Sequence, residues 1–120
     1  MSVSALLLVD DERALAELLK KYLERLGFQV DAVTHPREAL DLVEKNPARY
    51  ALLITDLTLP EMNGEVLIER VRERIPDLPA ILTSGYAQPA SAPSVEFLQK
   101  PFLPKMLAEA IERLLGERSA

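Results

Sequence analysis

The stretch Ala5-Leu6-Leu7-Leu8-Val9-Asp10-Asp11 is the strongest indication of the fold, because a fully apolar run of strand length is followed at once by two carboxylates. A strand that is apolar at every position, and not only at alternate ones, is buried on both faces. The run Ala51-Leu52-Leu53-Ile54-Thr55 repeats the pattern and is also followed by an aspartate, Asp56. The two runs predict central strands of a parallel sheet with helices on both sides.

Amphipathic stretches alternate with apolar runs along the rest of the chain. The strands we expect are Ala5–Val9, Phe28–Val33, Ala51–Thr55, Ala80–Thr83 and Val95–Leu98. The helices we expect follow Asp11 as far as Gly27, begin at Pro36, and span Gly64–Arg74 and Pro104–Leu115. Strands that alternate with helices predict an α/β fold, with a doubly wound parallel sheet covered by helices on both faces.

Apolar residues of the first and last helices recur at helical spacing, which predicts one buried stripe on each. The expected stripes are Leu15, Leu18, Leu19, Tyr22 and Leu23 in the first helix, and Met106, Leu107, Ala110, Ile111 and Leu114 in the last. Between Gly85 and Glu96 this spacing is missing, and Pro89 and Pro93 each remove a backbone donor. We expect a loop or one distorted turn there.

Composition excludes several classes of function. The 120 residues fit one domain, and a net charge of −5 without a lysine and arginine cluster argues against direct nucleic-acid binding. Without cysteine and with one histidine, His35, the chain cannot form disulfides or zinc sites of the common kinds, and we expect His35 to be a surface residue. No leader pattern or membrane-length run occurs, so we expect a cytoplasmic location without membrane contact.

Charged and hydroxyl side chains follow four of the predicted strands. Asp10 and Asp11 follow the first strand, Asp56 the third, Ser84 the fourth and Lys100 the fifth. Because the carboxyl ends of parallel strands share one edge of a sheet, we expect these residues to form a site. Three carboxylates at close range repel one another unless a cation lies between them, and Mg²⁺ suits a site with few protein ligands better than Ca²⁺ does.

A carboxylate beside such a cation can attack phosphorus, while the metal ion and a lysine neutralise the charge on the transferred group. The residues therefore predict metal-dependent phosphoryl transfer. Each residue also has a simpler interpretation: Asp10 and Asp11 could only cap the first helix, and Ser84 could only satisfy backbone groups at the end of a strand.

Four short motifs occur in order at the predicted strand ends. They are Val9-Asp10-Asp11-Glu12, Asp56-Leu57-Thr58-Leu59-Pro60-Glu61-Met62-Asn63-Gly64, Leu82-Thr83-Ser84-Gly85-Tyr86 and Lys100-Pro101-Phe102. Each motif alone is weak, but their order and positions together are specific. The chain resembles the receiver domain of response regulators in two-component signalling, over residues 1–120 as a single domain. The resemblance implies a flavodoxin-like, five-stranded sheet in the order 2-1-3-4-5.

The resemblance also implies the ligands of a metal ion and the acceptor of a phosphoryl group. Asp56 is then the phosphoacceptor. Asp11 and Asp56 bind Mg²⁺ directly, Asp10 binds it through water, and the backbone carbonyl of Thr58 completes the protein ligands.

Other implied roles concern the response to phosphorylation. Lys100 pairs with the phosphoryl group, the Ser84 hydroxyl hydrogen-bonds it, and Phe97 is the switch aromatic whose rotamer is coupled to Ser84. Pro101 resembles a cis-proline that follows the lysine. Because receivers normally have a helix between Ser84 and Phe97, the fourth helix is expected here to be shortened or missing.

The implied function is a phosphoacceptor switch, not an enzyme with external turnover, although it catalyses its own phosphorylation and dephosphorylation. Asp56 takes a phosphoryl group from a histidine kinase or a histidine phosphotransfer protein, and the change in conformation controls an effector or an attached output domain. Ser84-Gly85-Tyr86 is similar to the receivers of hybrid sensor histidine kinases. Both a stand-alone regulator and a part of a larger protein fit the sequence.

Two other functions are compatible with the same residues. One is a phosphorylation-independent docking module that keeps the receiver fold and binds a partner constitutively. The other is a small Mg²⁺ phosphatase with an aspartyl-phosphate intermediate. The phosphatase class has a second acid two residues after the nucleophile, where this chain has Thr58.

Overall fold

Five parallel strands form one sheet in the computed structural model, which describes residues 4–86 and 94–119. The strands are β1 (Ala5–Val9), β2 (Gln29–Val33), β3 (Tyr50–Asp56), β4 (Ala80–Ser84) and β5 (Val95–Gln99). The helices of the described residues are α1 (Arg13–Arg25), α2 (Pro36–Lys45), α3 (Gly64–Arg74) and α4 (Pro104–Ser119), with a 3-10 turn at Pro47–Arg49. The order β2-β1-β3-β4-β5 confirms the predicted fold.

The register of the sheet places β1 between β2 and β3. Leu8 lies opposite Ala32 on one side and opposite Ile54 on the other. Since all four strand pairs are parallel, every strand ends at the same edge of the sheet. The chain changes direction across the sheet between β1 and β3, and ligands of such folds bind at the carboxyl ends of the strands near this point.

Local sequence signals explain where two of the helices begin. The side chain of His35 accepts a hydrogen bond from the Arg37 N–H at 3.1 Å, and Pro36 is the first residue of α2. The side chain of Asn63 accepts a hydrogen bond from the Val66 N–H at 2.9 Å, which caps α3. These caps satisfy backbone donors that have no partner inside the helix.

Two apolar layers enclose the sheet. One lies under α1 and α4 and contains Leu6, Leu8, Leu19, Leu23, Leu52, Ile54, Leu107 and Ile111 among its buried residues. The other lies under α2 and α3 and contains Leu7, Val9, Val43, Leu53, Leu67, Val71 and Leu82. The alternate residues of β1 and β3 point to opposite layers, which is why both strands are apolar throughout. Among the described residues, no helix combines the length and the apolar character needed to cross a bilayer.

The predicted stripes of the first and last helices are wrong at one residue each. Leu18 is 57% exposed and Met106 is 42% exposed. The buried face of α1 is centred on Ala16, Leu19 and Leu23, and Leu18 lies about a third of a turn from that centre. Met106 lies at a similar angle from the buried face of α4. Helical spacing alone therefore assigned two apolar surface residues, Leu18 and Met106, to the buried stripes.

The ends of the elements differ slightly from the predictions. β2 begins at Gln29 and not at Phe28, β3 is one residue longer at each end than expected, and α4 continues to Ser119. In the connection from β4 to β5, the described residues Gly85, Tyr86 and Ser94 are not helical. The predicted loop or distorted turn concerns mainly residues 87–93, which lie outside the described residues.

A charged cluster ties the edge strand β2 to the start of β3. Arg49 donates from Nε to Asp31 Oδ2 at 2.8 Å and from Nη2 to Oδ1 at 3.1 Å, and the Tyr50 hydroxyl donates to Oδ2 at 2.7 Å. The hydrogen bonds from Arg49 hold the pKa of Asp31 below its usual value, although burial opposes them. Burial and the neighbouring carboxylate raise the pKa of Tyr50 to about 12. Ionised Asp31 therefore stabilises this edge of the sheet.

We predict that Asp31→Asn lowers the free energy of unfolding, and that it does so most at neutral pH. The folded-state pKa of Asp31 lies below its ordinary value of 3.8, so ionised Asp31 contributes stability above that value and loses it as the pH falls through the folded-state pKa. Urea unfolding from about pH 7 to about pH 2.5 should show a difference between wild type and variant that narrows below about pH 4. A difference that stays constant over this range would show that the charge of Asp31 contributes nothing.

Candidate functional site

The ends of the strands bring the predicted site residues together. Asp10 directly follows β1, Asp56 is the last residue of β3, Ser84 is the last residue of β4, and Lys100 directly follows β5. Asp10, Asp56 and Ser84 are buried, whereas Asp11 is exposed. The Lys100–Pro101 peptide bond is cis, as the resemblance implied.

Lys100 connects two of the buried carboxylates. Its Nζ lies 3.1 Å from Asp10 Oδ2 and 3.1 Å from Asp56 Oδ2. The side chains of Asp10 and Asp56 are 4% and 11% exposed, so water screens these contacts only weakly. One ammonium group faces two carboxylates, which leaves a residual negative charge at the centre of the site.

The acidic residues form a group that could hold a metal ion. One carboxylate oxygen from each of Asp10, Asp11 and Asp56 lies within 4.8 Å of the others. Because Asp11 is exposed and the other two are buried, the group opens to solvent on the side of Asp11. Oxygen donors, a residual negative charge and access to water fit a hard divalent cation such as Mg²⁺, which retains several waters when a protein binds it.

Burial and hydrogen bonding shift the ionisation of the central pair. Burial raises the pKa of Asp56, and the hydrogen bond and charge of Lys100 offset this only in part. Burial lowers the pKa of Lys100, but the hydrogen bonds to Asp10 and Asp56 outweigh it, so the pKa of Lys100 is raised. The lysine is therefore charged at neutral pH, and Asp56 is a carboxylate held where its charge is costly.

The loop after β3 is built around Asp56. The Thr58 N–H donates to Asp56 Oδ1 at 3.3 Å, and the Thr58 residue is exposed. The Leu57 N–H donates to the Thr83 carbonyl at 2.7 Å, and the Gly64 N–H donates to the Leu57 carbonyl at 2.8 Å. These bonds fix both ends of the loop that carries Thr58, the remaining predicted metal ligand.

Ser84 and Phe97, the predicted switch residues, lie on neighbouring strands. The Ser84 hydroxyl accepts a hydrogen bond from the Tyr86 N–H at 3.0 Å, and the Ser84 carbonyl accepts one from the Lys100 N–H at 2.7 Å. Phe97 is half-buried in β5, opposite Leu82 in β4. The geometry links Ser84 to Lys100 through the backbone, and the switching roles stay predictions.

Two contacts near the site were not anticipated from the sequence. Glu12 Oε1 lies 4.0 Å from Lys100 Nζ, so a further acid faces the lysine. His35, which we expected to be a surface residue, is paired with Glu61 at 3.0 Å. The position of Glu12 beside the two aspartates was a signal for the first contact. No spacing pattern relates His35 to Glu61, because they are 26 residues apart on different loops.

The sequence matches one family along most of its length. Residues 6–112 match the family model described as the response regulator receiver domain. The chain is 37% identical over 123 residues to the chemotaxis protein CheY homolog of Campylobacter jejuni, which covers 95% of this chain and 94% of that protein. It is 32% identical over 121 residues to the sensor kinase CckA of Brucella abortus, which covers 96% of this chain but only 13% of that protein.

The structure gives the same result. The crystal structure of the receiver domain from the hybrid histidine kinase CckA superimposes with a TM-score of 0.84 at 31% sequence identity. The superposition covers 93% of this chain and 99% of that one. Similarity in sequence and in fold therefore extends over nearly the whole chain.

We predict that Gly64→Ala disturbs the site, because Gly64 packs directly against the backbone of Asp56. A Cβ atom at Gly64 would overlap the Asp56 carbonyl and would lie 2.8 Å from Leu82 Cδ1. Relief of this overlap moves β3 or α3, and overpacking of this kind typically lowers the unfolding free energy by about 1–3 kcal/mol. Urea unfolding measures the change.

Gly116→Ala is the matched control, because a Cβ atom at Gly116 in α4 has no described neighbour within 4 Å. This variant should be neutral or more stable by up to about 1 kcal/mol, since alanine favours a helix. Equal losses of stability in the two variants would contradict the close approach at Gly64.

We predict that Asp56→Asn stabilises the metal-free protein at neutral pH. Because burial raises the pKa of Asp56, its contribution to stability is present below the unfolded-state pKa and is lost as the pH rises through the folded-state pKa. Unfolding in the presence of a chelator should show the variant to be more stable at about pH 7, with a gap that closes toward about pH 4. A variant less stable than wild type at neutral pH would show that Asp56 is not strained by its charge.

Proposed function

Because the chain belongs to the response regulator receiver domain family, we propose that Asp56 accepts a phosphoryl group from a phosphohistidine donor and that this changes the conformation of the domain. The observation that carries the proposal is the position of Lys100 Nζ, 3.1 Å from the carboxylates of both Asp10 and Asp56. Because the Lys100 ammonium group lies between the two carboxylates, a phosphoryl group added to Asp56 would bring new negative charge within its reach.

The Asp56 carboxylate supplies the nucleophile. One of its oxygens forms a new P–O bond while the P–N bond to the donor imidazole breaks, and the imidazole keeps the electron pair of that bond and takes up a proton. The Thr58 N–H orients the carboxylate through Asp56 Oδ1. Lys100 contacts the other oxygen and offsets the negative charge that the phosphoryl group brings.

We propose Mg²⁺ as the cofactor. Asp11 and Asp56 would bind it directly, Asp10 through water, and Thr58 through its backbone carbonyl. When bound, the ion would supply positive charge that offsets the negative charge of the transferred group. The support for this proposal is the oxygen-only donor set and the negative charge that Lys100 leaves unbalanced.

Ser84 and Phe97 are proposed to convert phosphorylation into a change of shape. The Ser84 hydroxyl accepts from the Tyr86 N–H and still has its own proton to donate to a phosphoryl oxygen. A shift from mostly inactive to mostly active needs roughly 5.5 kcal/mol, whereas one neutral hydrogen bond contributes about 1 kcal/mol. Ser84 therefore acts together with Lys100, the metal ion, or a partner that binds only the active form.

The proposed phosphoryl donor is a histidine kinase or a histidine phosphotransfer protein. The proposed output is an effector protein or an attached domain. Both are proposed because the match covers 94% of the chemotaxis relative, which is little longer than the match, but only 13% of the sensor kinase, which has much additional sequence. The sensor kinase relative supports an attached context, and the chemotaxis relative supports a stand-alone one. A cytoplasmic location stays a prediction.

We predict that acetyl phosphate with Mg²⁺ adds one phosphoryl group to the protein, and that peptide mass spectrometry places it on Asp56. Asp56→Asn should remain unlabelled, and a chelator should abolish labelling of the wild type, because the acceptor and the cation are both required. Asp41→Asn, at an exposed acid in α2, is the matched control and should be labelled like the wild type.

Equal labelling of wild type and Asp56→Asn would refute the assignment of the acceptor. Retained Mg²⁺ binding without any labelling would favour the phosphorylation-independent docking module. Turnover of an external phosphate ester would instead favour the phosphatase.

A further inference from the structure

The imidazole of His35 joins two loops at the edge of the site. Its Nδ1 accepts a hydrogen bond from the Arg37 N–H at 3.1 Å, and its Nε2 lies 3.0 Å from Glu61 Oε2. His35 directly precedes α2, whereas Glu61 belongs to the loop between Asp56 and α3. The ring therefore connects the start of α2 to the loop that follows Asp56.

Only one form of the ring satisfies both contacts. Because Nδ1 accepts a hydrogen bond, the proton of the neutral ring lies on Nε2 and is donated to the Glu61 carboxylate. The backbone of Arg37 and the carboxylate of Glu61 thus determine both the orientation and the tautomer. The Arg37 guanidinium, 3.6 Å from Glu61 Oε1, holds the second oxygen of the carboxylate.

Glu61 has a left-handed backbone conformation, with φ of 65°. Residues other than glycine rarely adopt it, because Cβ crowds the following carbonyl. Such a conformation persists where the surroundings hold it in place. At Glu61, a backbone hydrogen bond from the Met62 N–H to the Pro60 carbonyl at 2.8 Å closes a turn, and the contacts to His35 and Arg37 hold the side chain.

A surface pocket of about 180 Å³ opens beside this contact, and His35 and Glu61 line it together with Leu40 and Met62. Leu40 and Met62 are partly buried and pack against the apolar layer under α2 and α3. The polar contact and this apolar packing therefore both join the start of α2 to the loop.

Glu61 is close in sequence to the groups that contact Asp56. It lies three residues after Thr58, whose N–H is 3.3 Å from Asp56 Oδ1. Backbone bonds hold the two ends of the loop, at Leu57 and Gly64. The contact with His35 holds its middle from another element of the fold.

We propose that the His35–Glu61 contact is a clamp that positions the loop carrying Thr58, and thereby shapes the metal and phosphoryl site around Asp56. His35 and Glu61 are positioning residues, because no hydrogen bond or ion pair of the described residues joins either of them to Asp56 or Lys100. The expected effect of the clamp on phosphorylation rests on the proposed function above. Its expected effect on Mg²⁺ binding rests only on the acidic group of Asp10, Asp11 and Asp56. The side chains of His35 and Glu61 are 31% and 62% exposed, so water weakens their contact. We therefore expect its loss to lower the Mg²⁺ affinity and the labelling rate by only about two- to fivefold.

The test compares Mg²⁺ affinity and the rate of labelling by acetyl phosphate in three variants. His35→Asn keeps a residue that caps helices well but is too short to reach Glu61. Glu61→Gly keeps the left-handed backbone and removes the carboxylate. Glu61→Gln keeps an acceptor for the His35 Nε2–H and removes only the charge. We expect about two- to fivefold losses in the first two variants, and near wild-type values in the third.

Glu44→Ala is the matched control. Glu44 and Arg74 form another exposed ion pair between α2 and α3, at 3.3 Å, and the substitution removes the same charge as Glu61→Gly. We expect it to leave both measurements unchanged. We also expect the double variant of His35→Asn and Glu61→Gly to be no worse than Glu61→Gly alone, because Glu61→Gly already removes the contact with His35.

The proposal that the His35–Glu61 contact positions the loop is wrong if His35→Asn binds Mg²⁺ as tightly as the wild type. It is also wrong if Glu61→Gln loses as much affinity as Glu61→Gly, because the charge and not the contact would then matter. Failure of the wild type to be labelled would refute the proposed function, and the Mg²⁺ measurements would still decide whether the clamp exists.

Discussion

The site depends on one interaction, the sharing of the Lys100 ammonium group between the carboxylates of Asp10 and Asp56. Two carboxylates placed side by side in a buried position repel each other and lose hydration, and a cation between them offsets part of both costs. The contact also joins the ends of β1, β3 and β5, which come from distant parts of the chain. Only the parallel sheet, with β1 and β3 adjacent, brings these ends together.

The apolar core holds the charged groups of the site in place although their burial is unfavourable. β1 and β3 are buried on both faces, and the two apolar layers hold their ends in place. Asp56 is ionised where burial opposes its charge, and Glu61 in the loop after it has a positive φ, as do Asp77 and Ser94 outside the site. The costly charge of Asp56 persists because the surrounding structure holds the residue in place. Stability elsewhere in the fold thus supports strain at the site.

The sequence predicted the sheet and its edge because both depend on short-range patterns. Fully apolar runs that end in Asp10 and Asp56 leave few alternatives for their place in a parallel sheet. Burial at Leu18 could not be predicted as well, because it depends on the angle at which α1 lies on the sheet. The pairing of His35 with Glu61 could not be predicted from the sequence either, because it depends on how two loops meet in space.

We propose that Lys100 balances part of the charge of its carboxylate partners and follows the phosphoryl group once Asp56 carries one. The nitrogen and proton resonances of the Lys100 ammonium group test this most directly, recorded with Mg²⁺ before and after phosphorylation of Asp56. We expect these resonances to shift on phosphorylation, because Lys100 then exchanges a carboxylate partner for a phosphoryl oxygen. Resonances that stay unchanged while Asp56 is phosphorylated would contradict it.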